Sequence, residues 1–147
     1  MDISEQLYEI LYEKEPSEAI GMIGDCTDSI FLHQLIANYN WDNGTALPEA
    51  VAENSCCDMG TALMIFELYG GYDHLLDSRD SAFTDHEKSF LSGLIEKISN
   101  DRFACREIKY TPELSRADKY RIKKSCPDLH SVFIDGTDGR MIEVISV

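Results

Sequence analysis

The first hundred residues of this 147-residue chain are almost without positive charge: Lys14, Arg79, Lys88 and Lys97 stand against nineteen acidic side chains, a net of −15. Residues 101–147 carry nine basic and eight acidic groups, which brings the whole chain to −14. Such a surface repels nucleic-acid phosphates and anionic membranes, and it steers toward cationic partners. Long apolar runs are also missing. With no stretch of about 18 apolar residues, no membrane span is expected. The opening MDISEQLYEILYEKE has neither a basic start nor an apolar stretch ending in small residues, so no secretory signal is expected. Both features point to a cytoplasmic protein. There is no C-x-x-C; Cys26, Cys56, Cys57, Cys105 and Cys126 are odd in number and irregularly spaced. That argues against a disulfide framework or a structural zinc site and for reduced, mainly buried thiols.

The motifs of common enzyme classes are missing too. No G-x-G-x-x-G or G-x-x-x-x-G-K is present to cradle phosphates, no G-x-S-x-G elbow and no H-E-x-x-H helix. Asp73-His74 and Asp85-His86 sit in a stretch with Asp77 and Asp80, where carboxylates could orient a general base or hold a divalent metal. Adjacent side chains rarely face each other, and the segment reads more simply as a solvated acidic loop. Cys56-Cys57 lies at a helix start, where a dipole lowers a thiol pKa, but no histidine partner is identifiable. We therefore expect no enzyme: no catalytic residue, no cofactor and no metal.

Helical signals dominate what is present. Ile3, Leu7, Ile10 and Leu11 share a face from about Ser4 to Lys14, with Asp2 and Glu5 as a capping-box start. Pro16 opens a short helix ending near Gly24, and Thr27 or Asp28 caps one running to Asn38. A polar loop, Asn38 to Gly44, holds the sole tryptophan, Trp41, which is expected to plug the loop into the core. Pro48 starts a helix through Glu53. Asp58 caps another to Tyr69, stopped by Gly70-Gly71. A helical turn is possible at Tyr72 to Leu76. Thr84 and Glu87 box the start of a helix carrying Phe90, Leu91, Leu94, Ile95 and Ile98.

Beyond Asp101 the texture changes. Residues 106–110 alternate and suggest a strand, Thr111-Pro112 opens a basic helix to Lys124, and Ser131–Ile134 with Met141–Ile145 read as two strands about a Thr137-Asp138-Gly139 hairpin. The basic helix is expected to pair with the acidic body or stay solvated. The expected fold is α+β, mostly α. One domain spans 1–147, with an acidic body of about six helices over 1–100, then a small antiparallel sheet and one further helix over 101–147.

Leu32-His33, then Asn38-Tyr39-Asn40-Trp41-Asp42-Asn43-Gly44, Pro48, and Cys57-Asp58-Met59-Gly60-Thr61-Ala62-Leu63 followed by Phe66 resemble the bacterial domain-of-unknown-function family 4274. The family pattern runs LH, NYNWDDG, P, CD-x-GTAL, an aromatic and a glycine-bearing end, and the resemblance covers about residues 32 to 103. Asn43 departs from it, standing where the family has aspartate; Asn-Gly still makes the turn. The family implies no catalytic residues, and its signature reads as scaffold. In size, charge and lack of a site the chain also resembles immunity proteins of polymorphic toxin systems, including contact-dependent growth inhibition. The expectation is therefore a protein that neutralises a cationic toxin domain, such as a nuclease, through acidic loop residues. Asp42, Asp73, Asp77 and Asp80 would supply charge and Tyr72 an aromatic anchor. Alternatives are an adaptor in a bacterial assembly and a metal-dependent hydrolase using His74 and the acids between Asp73 and Glu87.

Overall fold

A computed structural model describes residues 2–76 and 82–147. Its regular structure is helical throughout. α1 (Ile3–Tyr8) is capped by the reciprocal Asp2–Glu5 box and continues into a π-helical turn, Glu9–Glu13, closed by Lys14 N–H donating to the Glu9 carbonyl. α2 (Pro16–Gly24) starts at its proline. α3 (Ser29–Asn38) is capped by Asp28, whose carboxylate accepts from Ile30 and Phe31. A 3-10 turn, Trp41–Asn43, leads into α4 (Ala46–Glu53), which begins two residues before Pro48.

α5 (Met59–Tyr69) is the axis of the molecule. It is apolar nearly all round, as a helix enclosed by others must be, and it packs against α3, α4, α6 (Gly71–Leu76) and α7 (Asp85–Ser99). Gly70, at φ +99°, supplies the left-handed residue that separates α5 from α6. Leu63, Ile65 and Phe66 of α5, Leu32 and Leu35 of α3, Leu91 and Ile98 of α7 and Phe133 form the fully buried centre. Phe66 meets Phe133 and Tyr72 edge-on, both with ring centroids at 5.0 Å. No helix among the described residues is long and apolar enough to cross a membrane.

The expected C-terminal sheet is absent, and the α+β reading is corrected to all-α. Among the described residues the only β pairing is one isolated parallel bridge between Ile108 and Arg140. Ser131–Ile134 is not a strand but enters α9 (Val132–Asp135), since three consecutive buried apolar residues suit a helical turn as well as a strand. The basic helix, α8 (Arg116–Ser125), begins four residues after Pro112, where a Ser115–Asp118 capping box outcompetes the proline as a start signal. The sheet fails because its backbone groups are already satisfied. Asp58 accepts from Glu107 N–H at 2.7 Å and Ile108 N–H at 3.3 Å, besides Gly60 N–H at 2.8 Å. The Thr137 hydroxyl accepts from Tyr110 N–H and donates to the Ile108 carbonyl, both at 2.8 Å, so this threonine serves as a bridge rather than a hairpin turn. Residues 141–147 have no regular structure. They lie along α3, where Gln34 donates to Glu143 O and accepts from Ile145 N, and Asn38 donates to Ile145 O.

Candidate partner-binding face

Among the described residues, those singled out from sequence fall on two elements, the 3-10 turn and α6. Asp42 is exposed on the 3-10 turn, where its N–H is tied to the Asn40 side chain. Tyr72 and Asp73 are half-buried on α6. Tyr72 is a bolt rather than an anchor: its hydroxyl donates to the Phe133 carbonyl at 2.5 Å, its ring rests on Phe66, and burial pushes its pKa up. Asp77 and Asp80 lie outside the described residues. Trp41 packs edge-on against Tyr39 and Tyr69, with centroids at 5.5 and 6.2 Å, as a loop plug should; its indole N–H finds no acceptor among the described residues.

The structure gathers a different set on α1 and the π-turn. The inner side of this segment buries Leu7 and Ile10. Its outer side carries Tyr8 and Tyr12, 50% and 53% exposed, with ring centroids 4.9 Å apart. Around them stand Glu5, Glu9 and Glu13. Among the described residues Lys14 is the cation beside them, held by Glu9 at 3.2 Å, which pairing raises its pKa. Three concavities border this single segment. One of about 590 Å³ lies between Tyr8, Glu9, Glu13 and the Ser146-Val147 tail. A second, of about 260 Å³, joins Glu9 and Ile10 to the exposed Met22. A third, of about 360 Å³, is apolar and runs from Leu11 and Ile20 to Tyr39 and Asn43 of the polar loop. Paired aromatics already packed against each other lose little entropy on contact, and tyrosine is enriched in interface hot spots. The sequence carried a signal for this: Tyr8 and Tyr12 are four apart and fall off the Leu7–Ile10 stripe, so they must face outward.

The chemistry-bearing residues elsewhere are structural in their contacts. His33 is buried, its Nδ1 at 2.9 Å from the Thr61 hydroxyl; desolvation lowers its pKa, opposed in part by Asp58. Burial pushes the Cys57 thiol up to about 12, away from reactivity. His86 lies 2.6 Å from Glu49, which also accepts from Tyr69. His74 sits on α6 with its ring edge-on to Phe83. Among the described residues no three His, Cys, Asp or Glu side chains converge to hold a metal ion. A cleft of about 650 Å³ is lined by Asp101, Arg106, His130, Asp135 and Asp138, but Arg106 is engaged by Asp101 at 2.5 Å and His130 Nδ1 accepts from Val132 N–H.

The LH and CD-x-GTAL parts of the family signature map onto the buried frame, while Asn40, Asp42, Asn43 and Gly44 of its loop are exposed. His33 and Thr61 are joined by their hydrogen bond; Asp58 is fully buried; a Cβ on Gly60 would collide with the Ile108 carbonyl. The model for a domain of unknown function, DUF4274, matches residues 27–102. No curated protein and no solved structure matches the chain.

Proposed function

The chain belongs to the DUF4274 family, and from that footing we propose that it works by binding a cationic protein domain, in the manner of an immunity protein that covers and neutralises a toxin. The observation that carries this reading is the tilted, half-exposed Tyr8–Tyr12 ring pair set among Glu5, Glu9 and Glu13. Acids steer a basic partner in and set its register, while the two rings provide apolar area and faces for arginine or lysine. A toxin acting on nucleic acid presents a cationic cleft, and a body of −15 over its first hundred residues fits against such a cleft. The adjoining apolar groove, walled by Tyr39 and Asn43, accommodates one side chain of the partner.

Capture of partners from the native organism under toxin-expressing conditions, with mass spectrometry and a salt series, tests the proposal. One basic domain recovered stoichiometrically, and held more weakly as salt rises, is the expected result. Several housekeeping proteins bound without salt dependence would instead establish an adaptor.

A further inference from the structure

α8 is the basic counterpart of α1. Ile122 faces inward, and Arg116, Tyr120, Lys123 and Lys124 point away from it along the opposite side of the helix. Tyr120 is 66% exposed, and none of Arg116, Lys119, Arg121, Lys123 or Lys124 forms an ion pair among the described residues. The acid on this helix, Asp118, lies on the inner side and is spent on the Ser115 cap. Among the described residues the outward side of the basic helix is thus neither paired with the acidic body nor covered by it.

We propose that this face docks on the α1 face of a second copy, so that the chain self-associates head to tail. Both surfaces are helical, and the span from Glu5 to Glu13 on one and from Arg116 to Lys123 and Lys124 on the other is about two turns, roughly 11 Å. Each centres on exposed tyrosine: acids flank Tyr8 and Tyr12 on one, cations flank Tyr120 on the other. Charge also selects between occupants. A nucleic acid would gain three outward cations while facing a molecule of −14. A second copy supplies carboxylates at matching spacing. Repulsion between the remaining acids is cut at a Debye length of about 8 Å in physiological salt, whereas ion pairs in direct contact are screened much less. The inference rests on the α1 face identified above and adds that α8 imitates the cationic partner, so self-association and partner binding exclude each other.

Sedimentation velocity on the full chain across a concentration series tests this at about 0.15 M and 1 M salt. Wild type is expected to form species larger than a monomer that dissociate at high salt. Lys123→Glu/Lys124→Glu and, separately, Glu9→Lys/Glu13→Lys are expected to be monomeric, with unchanged circular dichroism. Mixing these two variants should restore association, because one carries two acidic faces and the other two basic ones. A wild type monomeric at every concentration would overturn the proposal, as would association that survives the α8 reversal, or a monomer whose α8 retards a single-stranded RNA probe. The α8 variant should keep full affinity for a captured cationic partner. Loss of self-association and loss of partner binding are therefore separable failures.

Discussion

The signature-bearing region, residues 27–102, and the tail that follows it are held by different means. In the first, helices close their own backbone bonds and take their caps from side chains beside them: Asp28, Asp58 and Thr84 each bond an amide two or three residues on. In the tail, extended stretches find partners far along the chain. Asp58 serves Glu107 and Ile108, Gln34 and Asn38 serve residues 143–147, and Glu67 takes both the Tyr110 hydroxyl and Glu113 N–H. An extended, alternating segment can therefore find its partners in distant side chains and a single backbone bridge, without a sheet.

The sharpest way to break that contrast is Asp58→Ala. It strands three amide donors, at least one of them fully buried, and should cost about 3–5 kcal/mol in urea unfolding, with the tail released first. A loss below about 1 kcal/mol would mean that the carboxylate is not the clasp. Gly60→Ala should cost about 2 kcal/mol, because its Cβ meets the Ile108 carbonyl and the 105–110 segment must move. Unchanged hydrogen exchange at residues 107–110 in that variant would contradict the packing. Gln34→Ala removes two bonds to the tail, and about 1–2 kcal/mol is expected. Its exchange signature should be confined to the last residues; protection lost equally across α5 would show that the tail is not a separable layer.

A smaller effect comes from His33. Its pKa is lowered in the fold, so the unfolded chain binds the extra proton. Its contribution is complete above the ordinary histidine value of about 6.5 and is lost as pH falls from there through the depressed folded value. Thermal melts from pH 8 to 5 should show a steeper acid loss for wild type than for His33→Gln; equal slopes would remove His33 from the account. Least of all, Tyr8→Ala/Tyr12→Ala should change stability by no more than about 0.5 kcal/mol, since neither ring closes the core.

The helical body was legible because its signals are local: Pro16 opens α2, Asp58 caps α5, Thr84 with Glu87 boxes α7, and apolar residues recur at helical spacing. The tail was not, because what fixes it is long-range. Nothing near residue 107 announces that Asp58, 49 positions earlier, will take its amide. Val132-Phe133-Ile134 fits strand and helical turn equally until Phe133 is seen packed on Phe66. The candidate site was drawn from loops rather than from helix faces. Acid-rich loops drew attention to Asp42 and Asp73, and Tyr72 looked available until its hydroxyl was found bonded to Phe133. The outward Tyr8–Tyr12 pair needed only the helical period already used for Leu7 and Ile10.

The most direct measurement is the affinity of the captured cationic partner for two variants by calorimetry. Tyr8→Ala/Tyr12→Ala should weaken binding roughly 30-fold or more, the effect of losing a hot spot worth about 2 kcal/mol. Asp42→Asn/Asp73→Asn should leave it nearly unchanged. The reverse pattern, with the tyrosines dispensable and the two aspartates essential, would contradict the placement of the binding face on α1.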